Sequence, residues 1–163
     1  MKRLIILDID ETFLHSTYSN LKRDADFSFK ERQVYLRPGL SVFMDFCFEN
    51  FDVAVWTSAK AEYAKYVLKR IAKDLTKFKF IWTRKDCDKD YKWNGFSEDV
   101  VYVKNLNKIA AYPIHQITII DDKTLNIFPV NADIIGIDEY FGSETDDALM
   151  QMIEKLKGKL LLG

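Results

Sequence analysis

Leu4-Ile5-Ile6-Leu7-Asp8-Ile9-Asp10-Glu11-Thr12 passes from an unbroken apolar run into two carboxylates spaced two residues apart. A run of four apolar residues without polar alternation reads as a strand buried on both faces, as in a parallel sheet covered by further layers. The same construction returns at Ile117-Thr118-Ile119-Ile120-Asp121-Asp122. Ligand sites of open parallel sheets lie beyond the carboxyl ends of the strands, so both acidic pairs are expected at one edge. Four like charges there repel unless a cation neutralises them, and a hard divalent metal suits an all-carboxylate donor set.

Three further apolar runs, Val53–Trp56, Phe78–Trp82 and Ile134–Ile137, are separated by helical periodicity. Ala64, Val67, Leu68, Ile71, Ala72 and Leu75 form a stripe that leaves Lys65, Lys69 and Lys73 to water. A helix carrying Leu40, Phe43 and Cys47 follows Pro38-Gly39, and a last one over about 145–157 turns Leu149, Met152, Ile153 and Leu156 inward. This alternation predicts an α/β fold with a Rossmann-like parallel sheet and helices on both faces. Residues 13–36 and 84–102 do not fit plain crossovers. They read as small inserts overhanging the site, the first with strands near Phe27–Phe29 and Gln33–Leu36, the second turning at Trp93-Asn94-Gly95. No large cap domain is expected, and residues 1–163 read as one domain.

With 24 Lys plus Arg against 25 Asp plus Glu, the net charge of −1 gives no basic footprint for nucleic acid. Cys47 belongs to a core stripe, Cys87 looks incidental, and neither they nor His15 and His115 have disulfide or zinc spacing. Asp86-Cys87-Asp88-Lys89-Asp90 begins like a calcium loop, but Tyr91 occupies the glycine position and Ser97 the final glutamate position. Met1-Lys2-Arg3 is too short for a signal peptide, and no apolar run spans a bilayer. A soluble cytoplasmic monomer, nuclear if eukaryotic, is the expectation.

In an extended segment residues two apart point the same way, so Asp8 and Asp10 can face one substrate atom while Ile9 anchors the strand. That spacing suits a nucleophile beside an acid: transfer of a phosphoryl group to one carboxylate splits a hard hydrolysis in two, and the other moves the protons.

Asp8-Ile9-Asp10-Glu11-Thr12 resembles the DxDxT signature of the haloacid dehalogenase superfamily, and the chain resembles more narrowly its FCP/SCP-type phosphatases, which dephosphorylate the RNA polymerase II carboxy-terminal repeat. The likeness extends through His15-Ser16, Arg37-Pro38-Gly39-Leu40, Trp56-Thr57-Ser58-Ala59, Tyr102-Val103-Lys104-Asn105-Leu106 and Ile119-Ile120-Asp121-Asp122. It implies Asp8 as nucleophile and Asp10 as general acid and base, with Thr57 and Lys104 on the phosphoryl oxygens. Mg²⁺ would be held by Asp8, the Asp10 carbonyl, Asp122 directly and Asp121 through waters. Thr12, Ser58 and Arg84 are the expected substrate-binding residues, Arg84 at a position that can meet an additional phosphate. Lys104-Asn105-Leu106, Asp121-Asp122-Lys123-Thr124 and Phe13 depart from the family pattern without removing a catalytic group, though Lys123 alters what lies next to the metal.

The resemblance implies a Mg²⁺-dependent phosphomonoesterase for phosphoserine or phosphothreonine in a protein or peptide, reached through an open site. A nucleic-acid 3′-phosphate or a nucleotide is the alternative substrate, permitted by Arg84, Lys85, Lys89, Lys92 and Lys123, and a non-catalytic binding module is the alternative to catalysis. Phe27, Phe29, Tyr91 and Trp93 are candidates for a groove that takes a peptide or an unstacked base.

Overall fold

The computed structural model describes residues 2–72 and 74–162. Leu4–Leu7 (β1) lies fully buried at the centre of a parallel sheet, with Asp52–Trp56 (β5) on one side and Ile117–Asp121 (β9) on the other. Phe78–Trp82 (β6) and Asp133–Gly136 (β11) complete the order β11-β9-β1-β5-β6. The chain builds outward from β1 through β5 to β6, then crosses back to β9, so the order reverses beside β1. That reversal opens the crevice in which parallel sheets bind ligands.

Pleating divides the sheet residues between two cores. Ile5, Leu7, Val53, Val55 and Ile120 pack against the helices Leu40–Asn50 (α1), Ala61–Ile71 (α2) and Ala148–Leu162 (α3). Leu4, Ile6, Ala54, Trp56, Ile117 and Ile119 face the other way, towards Cys87, Leu106, Ile109 and Ile127. Both faces are covered, but by different means. α1, α2 and α3 share one side, and the other is closed by 3-10 turns such as Leu106–Lys108 and by short strands. Trp56 and Trp82 stack edge to face in this second layer, 4.7 Å between centroids. Cys87 is therefore a buried packing residue rather than an incidental one.

Residues 13–36 hold three strands, not two: Leu14–Thr17 (β2), Phe27–Phe29 (β3) and Arg32–Leu36 (β4), antiparallel in the order β2-β4-β3. Residues 84–102 begin with a 3-10 turn at Arg84–Asp86 and continue into a hairpin of Asp88–Trp93 (β7) and Glu98–Asn105 (β8), and Ile127–Phe128 (β10) pairs parallel with β8. α2 stops at Ile71, so Ala72 and Leu75 of the expected stripe lie beyond it, and Lys73 lies outside the described residues. α3 begins at Ala148 instead of near 145, with the Asp146 carboxylate taking the Ala148 N–H at 3.1 Å just ahead of it. Among the described residues no helix is long and apolar enough to cross a membrane.

Candidate active site

Asp8 extends the sheet one residue past β1, its N–H bonded to the Ile120 carbonyl at 3.1 Å. The chain then turns back: Phe13 N–H reaches the Ile9 carbonyl at 2.8 Å, and Glu11 adopts a left-handed φ of 61°. Arg37, 1% exposed, secures this turn from behind. Its guanidinium donates to the Thr12 carbonyl at 3.1 Å and grips Asp146 twice, at 2.7 and 2.9 Å. His15 Nδ1 lies 2.9 Å from Glu11 Oε2 at the rim of the same turn.

Four strand ends deliver the polar groups. Asp8 follows β1, Thr57 follows β5, Asp121 ends β9, and Lys104 is the penultimate residue of β8. All four are buried. The Lys104 ammonium bridges Asp8 Oδ1 and Asp121 Oδ2, each at 2.5 Å, and the Thr12 hydroxyl, itself fully buried, reaches Asp8 Oδ2 at 3.5 Å. Thr57 Oγ1 accepts the Ala59 N–H at 3.1 Å, which leaves its own proton free to donate. It does not cap α2: the cap position is Lys60, without a side-chain bond.

Burial governs the charges here. Desolvation, opposed by Lys104 and reinforced by Asp121, pushes the Asp8 carboxyl up to about 8. Burial also disfavours the Lys104 ammonium, but Asp8 and Asp121 outweigh it and hold the group charged above its ordinary range. Asp10 is raised by burial, with the Tyr63 phenol pulling the other way through a 2.7 Å hydrogen bond to Oδ1. Tyr63 itself is kept protonated by burial and by the neighbouring Asp10 charge.

Asp8, Asp121 and Asp122 each offer a carboxylate oxygen, all within 4.8 Å of one another. Both Asp121 oxygens are engaged, Oδ2 by Lys104 and Oδ1 by the Lys123 N–H at 2.7 Å. Asp122 Oδ2 is buried with no hydrogen-bond partner, and the Lys123 ammonium stands 3.7 Å away. Burial and the Asp121 charge raise the Asp122 carboxyl. A hard oxygen donor set with one orphaned carboxylate oxygen fits Mg²⁺. The Asp10 side chain is not one of this trio.

Asp10 instead opens into a groove of about 600 Å³ between the β2-β4-β3 sheet and α2, lined also by Phe29, Arg32, Ser58, Tyr63 and Arg84. Arg84 Nε donates to the Ser58 carbonyl at 2.7 Å, and the guanidinium lies 4.7 Å from the centroid of Tyr102. The four aromatics expected to share a groove do not. Phe29 lines it, Phe27 packs on Tyr66, and Tyr91 and Trp93 stand exposed on the hairpin. Tyr63 was not anticipated. Its signal was its place: four residues before Val67 on the buried stripe of α2, in the first turn of a helix that starts beside the carboxyl end of β5.

The model of the NLI interacting factor-like phosphatases matches residues 3–161. The chain belongs to this family. Among its relatives, phosphatase PSR1 of Saccharomyces cerevisiae is 29% identical over 164 residues, 96% of this chain but 36% of the yeast protein. The putative CTD phosphatase-like protein 355R of Invertebrate iridescent virus 3 is 28% identical over 182 residues, 96% of either chain. The fold is also that of the fission yeast RNA polymerase II CTD phosphatase Fcp1 bound to beryllium fluoride: TM-score 0.63 at 18% identity, over 99% of this chain and 51% of that one. The FCP/SCP resemblance of the DxDxT block thus extends to the whole chain, whose length is a part of some relatives and nearly all of others.

Proposed function

We propose that this family member is a Mg²⁺-dependent phosphomonoesterase that forms an aspartyl phosphate, an acyl phosphate on Asp8, and acts on phosphoserine or phosphothreonine in an extended protein segment. The observation that carries the reading is a pocket one cation short: Lys104 serves Asp8 and Asp121 together while Asp122 keeps an unpartnered buried oxygen. Mg²⁺ held by Asp8, Asp122 and the Asp10 carbonyl would complete the neutralisation and offset the charge of the phosphoryl group.

Each side chain then has a defined task. The Asp8 carboxylate attacks phosphorus as the bond to the serine or threonine oxygen breaks. Lys104 has three ammonium protons and gives two to Asp8 and Asp121, leaving the third for a phosphoryl oxygen, and the free Thr57 hydroxyl proton serves another. Asp10, whose burial favours its neutral form, protonates the departing oxygen. It afterwards takes a proton from the water that attacks phosphorus and releases phosphate from Asp8. Tyr63 fixes the Asp10 carboxyl between these two duties. The groove beside Asp10 is open to solvent, which suits a side chain presented on a flexible segment, and several relatives carry the name of CTD phosphatases.

A panel of phosphopeptides, 3′-phosphorylated oligonucleotides and an aryl phosphate, each with Mg²⁺ or with chelator, tests the reading. Hydrolysis of phosphopeptides and aryl phosphate only with Mg²⁺ is the expected pattern. Equal turnover in chelator, or preference for the oligonucleotides, would defeat the metal or the substrate assignment respectively.

A further inference from the structure

The β7–β8 hairpin has surface that the chemistry at Asp8 does not use. Along β7, Lys89, Tyr91 and Trp93 alternate onto one face, opposite Tyr102, Val100 and Glu98 of β8. Tyr91 is 59% and Trp93 68% exposed, and Phe96 at the tip is 94% exposed. Three aromatics so bare on one short arm form an apolar patch that water alone does not favour. β7 is also an edge strand, with β8 on one side and no described strand on the other. Its Tyr91 N–H donates to the adjacent Asp90 carboxylate at 2.9 Å, a local bond that a partner strand's carbonyl would have to replace.

At its root this face runs into a second pocket of about 450 Å³ lined by Lys60, Arg84, Lys85, Lys89 and Tyr102, with no carboxylate in its wall. Lys60 and Arg84 also line the groove that holds Asp10, so arm, basic pocket and active site are continuous. The root calls for an anion, yet residues 84–104 as a whole carry five acidic and five basic side chains. That balance opposes a nucleic-acid backbone along the arm, and the open edge offers main-chain pairing that only a polypeptide can use.

We infer that the hairpin is a docking arm on which an extended phosphorylated or acidic protein segment adds as a strand along β7, its side chains against Tyr91 and Trp93 and its anionic groups in the Lys60–Arg84–Lys85–Lys89 pocket. The inference rests on the phosphoprotein reading and adds where the substrate's flank lies. Six residues of β7 span about 20 Å, so only substrates with a flank of about that length reach the tip.

The test compares a phosphopeptide with about eight flanking residues on each side, the same peptide trimmed to two, a 3′-phosphorylated oligonucleotide and an aryl phosphate, on the wild type and on Tyr91→Ala/Trp93→Ala. Both positions are exposed, and aryl phosphate turnover within twofold of wild type certifies the fold. The expected result is a fall of about 10- to 100-fold in kcat/KM for the long peptide alone, carried by KM, as for truncated interface anchors. A second variant, Lys85→Glu/Lys89→Glu, should weaken the long peptide similarly. Long-peptide kinetics unchanged in both variants would overturn the arm while leaving the phosphoprotein reading intact. Turnover of the aryl phosphate with neither peptide hydrolysed would overturn both, and a loss confined to the oligonucleotide would assign the arm to nucleic acid instead.

Discussion

Arg37 and Lys104 are both buried cations that meet the turn after β1, yet their surroundings are opposite in kind. Arg37 has one carboxylate, gripped through two parallel bonds to Asp146, and its Nη1 donors end on the Thr12 and Glu11 carbonyls. Four of its five donors are matched, and the charge holds the turn to the start of α3. Lys104 is one ammonium in contact with two of three carboxylates, while the third keeps an oxygen without a hydrogen bond and has the more exposed Lys123 ammonium only at 3.7 Å. The difference separates a buried charge that holds structure from one kept under-neutralised, where an incoming cation and a phosphate both have something to gain.

The sharpest way to break this contrast is Asp8→Asn. Turnover should fall by at least about 10⁴-fold on any phosphate ester in excess Mg²⁺, as when a covalent nucleophile is removed, with the circular dichroism unchanged. Appreciable residual activity would place the nucleophile elsewhere. At the other cluster, Arg37→Met should cost about 3–5 kcal/mol in urea unfolding, because Asp146 is left without its partner. The pH dependence follows the same pair. Burial alone would raise the Asp146 carboxyl, but the Arg37 hydrogen bonds, the Ala148 N–H and the Arg37 charge together hold it below the ordinary carboxylate range. Its contribution is therefore full above that range and lost as pH falls through the depressed native value, an acid limb that Arg37→Met should flatten.

Tyr63→Phe sharpens the catalytic side. If the phenol positions Asp10 as acid, kcat should drop about tenfold for phosphoserine and little for an aryl phosphate with a good leaving group, with KM steady for both. An equal loss on the two substrates would reduce Tyr63 to packing. The smallest effect belongs to Asp122→Asn. Burial and Asp121 penalise the Asp122 charge, so in chelator the variant should melt a few degrees higher, roughly 1 kcal/mol, and lose the stabilisation that Mg²⁺ gives the wild type. A variant that melts lower and still responds to Mg²⁺ would show that Asp122 holds no metal.

Much of this architecture was readable from residue order. Unalternated apolar runs announce buried parallel strands, and the acidic residues that end two of them had to meet once β1 and β9 paired. What escaped the reading lacks such periodicity. β2 is Leu14-His15-Ser16-Thr17, too polar to read as a strand until β4 covers it. The second cover of the sheet comes largely from short 3-10 helices and strands, whose packing is tertiary and leaves no helical period in the sequence. Tyr63 and Arg37 owe their parts to partners 53 and 109 residues away, separations that no local pattern records. The aromatics of the two inserts looked alike on paper because composition does not say which side of a strand faces water.

The three tryptophans divide along these same lines. Trp56, fully buried, precedes Thr57 and stacks on Trp82, whereas Trp93 stands 68% exposed near the tip of the hairpin. Indole emission shifts to the red in water and to the blue in apolar surroundings, so one spectrum carries two separable optical reporters. The inner pair would register events beside Asp8 and Thr57, and the outer indole would change colour if something covered the arm.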